Sequence, residues 1–193
     1  MPPKMIVVAG PPGGGKSSLF PVWSFGVSYF NADDRAAELN GGSYVGITKE
    51  IRAAVNREFE AFVLACIDQR TSFAVETTLR SAVTFQQAAL AKAAGLTTEM
   101  RYLALRDLAA HLERVKARAD AGGHSASEAV LSETYKSSLA NLPRAILEID
   151  EVWVYDNSQA GGPPKLVLQS DKGVIQYLVD DPPDWLTTIL DLS

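Results

Sequence analysis

Hydrophobic positions along the chain alternate between short continuous runs and longer stretches with a helical period. The short runs predict five strands, at Met5 to Ala9, Val27 to Phe30, Ser72 to Val75, Glu99 to Leu105 and Glu151 to Tyr155. Continuous apolar runs are typical of buried parallel strands, and the long stretches between them indicate crossover helices. The chain is therefore predicted to be an α/β protein with a mainly parallel central sheet flanked by helices.

Two of the long stretches have the spacing of amphipathic helices. The first has an apolar stripe at intervals of three and four residues, formed by Ile47, Ile51, Val55, Phe59, Phe62 and Cys66. The second begins at Asp107, a good N-cap residue, and turns Leu108, Leu112 and Val115 inward. An adjoining face of this second helix carries His111, Arg114 and Arg118.

The C-terminal segment has a different pattern. Gly161-Gly162-Pro163-Pro164 interrupts the chain, and two apolar runs, 166–169 and 174–179, flank the turn Asp171-Lys172-Gly173. We interpret residues 159–193 as a hairpin appendage on a single domain that spans residues 1–193. A lid is expected at about residues 114–136.

Composition narrows the class of protein. The 193 residues contain 18 Lys and Arg against 23 Asp and Glu, and this acidic balance argues against bulk binding to nucleic acid or to an anionic membrane. The single cysteine, Cys66, cannot form an internal disulfide, which fits a cytoplasmic protein. No apolar run has the length of a signal peptide core or a membrane span, so a soluble, unprocessed protein is expected.

The strongest motif follows the first predicted strand. Gly10-Pro11-Pro12-Gly13-Gly14-Gly15-Lys16-Ser17 matches the phosphate-binding P-loop G-x-x-x-x-G-K-[ST], and Ser18 continues into a predicted helix. Inward-facing backbone N–H groups of such a loop bind the α- and β-phosphates of a nucleotide. Lys16 would reach the β- and γ-phosphates, and the Ser17 hydroxyl would bind Mg²⁺. ATP is the ligand that this motif favours.

The acceptor side of the reaction is expected where the other strands end. The second strand runs into Asn31-Ala32-Asp33-Asp34, so Asp33 could accept the proton of a substrate hydroxyl. Asp33 or Asp34 could equally cap the helix that follows. The third strand ends in Glu76-Thr77-Thr78-Leu79-Arg80, whose side chains could hold sugar or phosphate groups, unless Thr77 or Thr78 caps the next helix.

The second amphipathic helix predicts a lid. Arg114 and Arg118, four residues apart, share a face and could close over the γ-phosphate, although most such pairs are only solvated. The helix leads into the polar segment Asp120-Ala121-Gly122-Gly123-His124-Ser125. In that segment, His124 is better interpreted as a loop or capping residue than as a catalyst.

Taken together, these motifs resemble the zeta toxin family of small P-loop kinases, in particular the short UDP-N-acetylglucosamine kinase-like members. The resemblance lies in the P-loop, Asn31 to Asp34, Ser72 to Leu79, Arg114 to His124, Tyr135 to Leu142 and Val152 to Ser158. It covers most of the first 158 residues. The Glu-Thr-Thr-Leu and Gly-Gly-His elements are uncommon outside the family.

The resemblance implies an ATP- and Mg²⁺-dependent kinase that phosphorylates the 3′-hydroxyl of the sugar in UDP-N-acetylglucosamine or a related UDP-sugar. It implies that Asp33 is the general base, that Glu76, Thr77 and Thr78 hold the substrate, and that Arg114 and Arg118 bind phosphate. Asp156 and Asn157 would lie near the adenosine, or form an Asx turn. Toxin members act against a small helical antitoxin, the partner that the resemblance implies.

Two departures from the family keep alternatives open. Relatives carry arginine before the tyrosine of the lid, whereas this chain has Ser132, Glu133 and Thr134 before Tyr135, with only Lys136 as a substitute. Arg80 stands where relatives have serine, and could contact an anionic acceptor. The alternatives are a kinase of another small hydroxyl compound, such as a nucleoside, sugar or antibiotic, or a nucleotide-binding module with weakened catalysis that acts through a partner.

Overall fold

A computed structural model describes residues 2–120, 126–159 and 161–191. The strands are β1 (Lys4–Ala9), β2 (Ser28–Phe30), β3 (Phe73–Thr77), β4 (Thr97–Ala104), β5 (Glu151–Asp156), β6 (Lys165–Asp171) and β7 (Val174–Leu178). The helices are α1 (Lys16–Leu19), α2 (Ala32–Leu39), α3 (Lys49–Asp68), α4 (Val83–Ala93), α5 (Leu108–Asp120), α6 (Glu128–Glu148) and α7 (Asp184–Leu190), with a 3₁₀ helix at Val22–Phe25.

All these strands belong to one sheet, in the order β2-β3-β1-β4-β5-β6-β7. The first five strands in that order are parallel, and β6 and β7 are antiparallel additions to β5. The predicted α/β fold with a mainly parallel sheet is therefore confirmed. Because β1, β3, β4 and β5 run in the same direction, the segments that follow them meet at one edge of the sheet.

The main core lies on one face of the sheet. Strand β1 shows why, since Met5, Val7 and Ala9 are fully buried in the large cluster with residues of α3, α4, α6 and α7. Ile6 and Val8 point to the opposite face and pack against a smaller group that includes Val22. This alternation is the period-two pattern of a strand buried on both faces. Cys66 lies in the main core as a free cysteine, as its place in the apolar stripe predicted.

The C-terminal hairpin is part of the main sheet rather than an appendage. Strand β6 pairs with β5 along its length, and Val167 and Leu168 are fully buried. Helix α7, which the hydrophobic pattern did not reveal, then packs Trp185 and Leu186 into the main core. Strand β6 pairs with β5 because the outer edge of β5 would otherwise have unpaired backbone N–H and C=O groups. In the part of the chain that the structure describes, no helix has the length and apolarity to cross a membrane.

Candidate nucleotide and acceptor site

The P-loop connects β1 to the single turn of α1 through backbone conformations that favour glycine. Gly10 and Gly15 have φ angles of +133° and +95°. A Cβ at Gly10 would lie 2.1 Å from the carbonyl oxygen of Leu103, and one at Gly15 would lie 2.5 Å from Nδ2 of Asn157. These two positions therefore need glycine both for conformation and for space. The loop packs directly against the ends of β4 and β5.

Asn157, immediately after β5, holds the loop in place. Its Nδ2 donates a 3.0 Å hydrogen bond to the carbonyl oxygen of Gly14, and the side chain is buried. Arg114 of α5 donates from Nη2 to the carbonyl oxygen of Asn157 at 2.7 Å. The structure therefore places Asn157 against the P-loop itself, and it connects the predicted lid arginine Arg114 to the end of β5.

His111 forms a second connection to the loop, from α5. The backbone N–H of Leu105 donates to Nε2 of His111 at 3.0 Å, so that nitrogen carries no proton. The Nδ1–H therefore donates to the carbonyl oxygen of Pro12 at 2.8 Å. Burial lowers the pKa of His111 to about 4, which keeps the imidazole neutral. The sequence pattern had assigned His111 to a face with arginines, but the structure buries it.

Lys16 is buried among polar groups of the site. Its Nζ donates to the carbonyl oxygens of Gly10 and Pro11 at 2.9 and 3.2 Å, and it lies 3.8 Å from Oε1 of Glu76. Burial lowers the pKa of the ammonium, while the charges of Glu76 and Asp33 act in the opposite direction. Asp33 and Glu76 therefore both act electrostatically on the P-loop lysine.

Ser17 and Glu76 bring two hard oxygen ligands together. The Ser17 hydroxyl donates to Oε2 of Glu76 at 2.9 Å. Magnesium in nucleotide sites is bound by one or two protein oxygens together with phosphate oxygens and water. No group of three or more His, Cys, Asp or Glu side chains within the described ranges could hold a metal by itself. The residues present therefore fit a Mg²⁺ ion that is bound jointly with nucleotide phosphates.

Asp33 lies in the first turn of α2, beyond the end of β2. The helix is capped by Asn31, whose Oδ1 accepts hydrogen bonds from the backbone N–H groups of Asp33 and Asp34. The alternative in which Asp33 or Asp34 caps this helix is therefore wrong. The Asp33 side chain is exposed instead to two cavities that meet beside the P-loop. Arg35 anchors α2 to α3, because its Nε donates to Glu58 at 2.6 Å.

The larger cavity has a volume of about 1060 Å³ and extends to both sides of the P-loop. Gln159, Gly161 and Gly162 line it after β5, and Arg52 and Asn56 of α3 line it on the acceptor side. Many of its other lining residues were predicted from the sequence: Pro12, Gly13, Gly15, Lys16, Ser17, Ser18, Asp33, Glu76, Thr77, Thr78, Arg80, Arg114, Arg118 and Asn157. A cavity of this volume is large enough for a drug-sized ligand.

The segment after β3 is shaped by a local hydrogen bond rather than by a helix cap. Oγ1 of Thr77 accepts from the backbone N–H of Leu79, and Leu79 has a φ of +57°. Helix α4 begins after Ala82 without a side-chain cap, so the interpretation of Thr77 or Thr78 as its cap is wrong. The turn leaves both threonines and Arg80 on the cavity.

Within the predicted lid, Arg118 lines both cavities, and Thr134 of α6 lines the larger one. Lys136, considered as the substitute for a missing arginine, is exposed on α6. His124 and its glycine neighbours lie outside the described residues.

Asp156 has structural partners. Its Oδ2 accepts from Nε1 of Trp185 at 2.8 Å, and its Oδ1 accepts from the backbone N–H of Ser158. The second contact is the Asx turn that was one of the two interpretations of this residue.

Arg52 and Asn56 were not predicted as site residues. Their spacing of four on a helix places both on one face, and that polar pair was the available signal.

Comparison with solved structures reveals the same fold in other proteins. A chain of the AvrRxo1-ORF1:AvrRxo1-ORF2 complex matches 98% of this chain with a TM-score of 0.71 and 17% identity. The same complex with ATP matches 91% with a TM-score of 0.69 and 17% identity. A chain from the PezAT chromosomal toxin-antitoxin system of Streptococcus pneumoniae matches 99% with a TM-score of 0.64 and 14% identity. The fold that the zeta toxin resemblance implies is confirmed.

The lengths of these chains differ. This chain spans 63% and 60% of the two AvrRxo1 chains, and 83% of the PezAT chain. Comparison with profiles of known protein families gives no match, and comparison with curated protein sequences gives none either.

Proposed function

We propose that this chain, which has the fold of the zeta-toxin-type P-loop kinases, is an ATP-dependent phosphotransferase that acts on a hydroxyl group of a small acceptor. The observation that carries the proposal is that Asp33 and the P-loop residues Lys16 and Ser17 line one continuous cavity. A nucleotide-binding loop alone requires no exposed carboxylate across the cleft. A carboxylate at that position supplies the proton acceptor that a kinase needs.

Each functional residue of the cleft has a different role in the reaction. Backbone N–H groups of the P-loop bind the nucleotide phosphates, and Lys16 neutralises charge on them. Asp33 accepts the proton of the acceptor hydroxyl as its oxygen bonds to the γ-phosphorus, while the bond from that phosphorus to the bridging oxygen breaks and ADP leaves. Arg118, which lines both cavities, stabilises the charge on the transferred group.

Magnesium belongs to this proposal as an ion that, when bound, would neutralise part of the charge of the phosphates. Ser17 and Glu76 would hold it, because their oxygen atoms already lie 2.9 Å apart beside Lys16. We therefore propose that Glu76 acts as a ligand of the metal ion. Thr77 and Thr78, which follow it, keep their proposed role as acceptor-binding residues.

A UDP-sugar is the acceptor that we propose, with UDP-N-acetylglucosamine as the first compound to test. The support from the described residues is the charge of the larger cavity, where Arg52 and Arg80 lie on the acceptor side together with Thr77 and Thr78. Guanidinium groups and hydroxyls of this kind bind a diphosphate well. Arg114, by contrast, donates to the backbone of Asn157, and we propose that it acts mainly by positioning the P-loop.

The test is incubation of the purified protein with Mg-ATP and a panel of UDP-sugars, nucleosides and aminoglycosides. Mass spectrometry then identifies any acceptor that gains one phosphate. Lys16→Ala is expected to lose both ATP binding and transfer, whereas Asp33→Asn keeps ATP binding and loses transfer. Lys172→Ala and Asp180→Asn are matched controls, because these residues are exposed near the C-terminal hairpin and line neither cavity.

The possible outcomes distinguish the type of reaction, the class of acceptor and the role of Asp33. Phosphorylated UDP-N-acetylglucosamine that is absent with Lys16→Ala establishes both the reaction and the acceptor class. Transfer to another panel member keeps the phosphotransferase and rejects the UDP-sugar. Transfer by Asp33→Asn at the rate of the native protein rejects Asp33 as the base.

We also propose that a small protein partner regulates the enzyme by covering the nucleotide cleft, and that the enzyme acts in the cytoplasm, where ATP is available. The support for the partner is that two of the similar folds come from an AvrRxo1-ORF1:AvrRxo1-ORF2 complex and from a toxin-antitoxin system. Purification of the protein from its native cells, with ATP binding measured before and after any bound chain is removed, tests this point. Unchanged ATP binding on removal of the chain would reject it.

A further inference from the structure

A second cavity of about 290 Å³ lies beside the P-loop and is rich in aromatic side chains. Trp23, Tyr29 and Tyr44 line it together with Asp33 and Asp34. Trp23 and Tyr29 are 65% and 49% exposed, so neither is a core residue. Exposed aromatic residues that converge on a concave surface are typical of ligand recognition. The proton acceptor of the proposed reaction therefore lies at the edge of an aromatic cavity.

The charge of this cavity differs from that of the larger one. Asp33, Asp34 and Glu76 contribute three carboxylates, against the one guanidinium of Arg118. Arg52 and Arg80 line only the larger cavity. A phosphate group would be repelled from the aromatic cavity and attracted to the arginine side of the larger one. The two cavities thus suit different parts of one acceptor molecule.

The wall of the aromatic cavity is held by hydrogen bonds. The Tyr44 hydroxyl donates to Oδ1 of Asp34 at 2.8 Å, which connects the loop after α2 to the first turn of that helix. This hydrogen bond raises the pKa of the Tyr44 phenol, so the phenol remains a neutral donor. Asp34 therefore orients Tyr44 toward the cavity and still has a second oxygen that can accept a hydrogen bond.

We infer that the aromatic cavity binds the acceptor ring that carries the reacting hydroxyl, as a sugar ring packed on Trp23 and Tyr29, and that it excludes a ring with a phosphate at any position other than the anomeric carbon, where the diphosphate of a UDP-sugar is attached. Sugar hydroxyls donate to carboxylates such as Asp34, and the C–H face of the ring packs on an aromatic side chain. The volume suits one ring rather than a whole nucleotide. The inference rests on the proposed function for the role of Asp33 as the base.

Tryptophan fluorescence tests the inference without turnover. Trp23 is the tryptophan at the cavity, whereas Trp153 packs against Arg101 and Trp185 is buried beside Asp156. N-acetylglucosamine and glucose are expected to quench the fluorescence in a saturable way. N-acetylglucosamine 6-phosphate is expected to bind at least about tenfold more weakly, and uracil to give no response. The response should disappear in Trp23→Phe and persist in the control Trp153→Phe.

Kinetics of the phosphoryl acceptor identified in the panel supply a second test. Removal of the aromatic face in Trp23→Ala is expected to raise the KM for this acceptor about tenfold or more, which corresponds to a loss of about 1.4 kcal/mol of binding free energy. Trp23→Phe should recover most of this loss, because a ring is again present. Tyr177→Ala is the matched control, since Tyr177 is 43% exposed on β7 and lines neither cavity.

The result that would overturn the inference is the absence of any Trp23 response to the sugars. Equal binding of uracil, or of the 6-phosphate, would overturn it as well. Failure of the proposed function has a different signature, because the fluorescence titration contains no ATP. Sugar binding at Trp23 without phosphate transfer to any acceptor rejects the kinase and keeps the sugar site, whereas transfer without a Trp23 response rejects the sugar site alone.

Discussion

The hydroxyl of Ser17 donates a 2.9 Å hydrogen bond to the carboxylate of Glu76, across the gap between the P-loop and the end of β3. Strands β1 and β3 are parallel neighbours, with Val8 opposite Glu76 and Ala9 opposite Thr77. This register places the residues that follow β1 beside the carboxylate of β3. The pairing of the two strands therefore assembles the oxygen ligands that Mg²⁺ prefers.

Glu76→Gln is expected to weaken the response to magnesium while leaving the fold intact. The amide keeps the size of the side chain but removes one negative charge beside Ser17 and Lys16. Loss of an outer-shell partner of a metal ligand typically lowers metal affinity or activity about 10- to 100-fold, and loss of the charge of a proposed direct ligand is expected to cost at least as much. A titration of phosphate transfer with Mg²⁺ at saturating ATP measures the effect, and a magnesium dependence equal to that of the native protein would contradict it.

Glu60→Gln provides the matched control for this charge change. Glu60 is exposed on α3 and lines neither cavity. Its substitution should leave the magnesium dependence unchanged.

Asn157→Asp is expected to reduce both ATP affinity and stability. The aspartate cannot donate to the carbonyl oxygen of Gly14, and it places two oxygen acceptors together in a buried position. An unsatisfied buried group of this kind costs about 1–3 kcal/mol of unfolding free energy. Urea unfolding and ATP titration measure the two effects.

Asn141→Asp is the control that separates an effect specific to the P-loop from a general loss of stability. Nδ2 of Asn141 donates to the carbonyl oxygen of Leu79 at 2.9 Å and is partly buried, but it does not touch the P-loop. This variant should lose stability without loss of ATP affinity. If both variants lowered ATP affinity equally, Asn157 would have no specific role at the loop.

The sequence alone was sufficient to predict the features that depend only on residues adjacent along the chain. The P-loop is a contiguous motif after an apolar strand, and Asp33 follows the next strand, so both could be predicted without the order of the strands. The hydrogen bond from Ser17 to Glu76 joins residues far apart in sequence and depends on the register of β1 and β3. No local pattern contains that information.

The same limit explains the elements that the sequence analysis missed. Helix α7 is short, and its stability comes from burial of Trp185 and Leu186 rather than from a long apolar period. The hydrogen bond from Trp185 to Asp156 could not be predicted either, because the two residues lie 29 positions apart along the chain. The aromatic cavity likewise combines Trp23, Tyr29 and Tyr44, which share no periodic spacing.

Trp185→Phe is expected to destabilise the protein by about 1–3 kcal/mol, because Asp156 loses a donor to its carboxylate. The phenyl ring retains part of the apolar burial of α7 against the core. Thermal or urea unfolding measures the change, and Trp23→Phe, at a largely exposed tryptophan, should alter stability by less than about 0.5 kcal/mol. A double-mutant cycle with Asp156→Ala isolates the pair, and zero coupling would exclude this hydrogen bond as the cause.

The neutral His111 predicts a loss of stability in acid. Its pKa is about 4 in the folded protein, below the ordinary value of 6.5, because the imidazole is buried and Nε2 accepts from Leu105. The unfolded chain therefore binds a proton first as the pH falls, and the stability is lost between about pH 6.5 and pH 4. A shift of this size costs about 2 kcal/mol between pH 7 and pH 5.

His111→Gln isolates this contribution, because glutamine has no proton to gain in that range. The variant is expected to be less stable at pH 7, because a flexible glutamine that accepts from Leu105 and donates to Pro12 loses more side-chain freedom than the rigid imidazole and does not fill the space of the ring. Between pH 7 and pH 5 it should lose about 2 kcal/mol less than the native protein, while all other titrating groups, His124 included, contribute equally to both. Urea unfolding at the two pH values measures the difference. Parallel losses in the two proteins would mean that His111 is protonated as readily in the folded chain as in the unfolded one, which is incompatible with an Nε2 that accepts from Leu105.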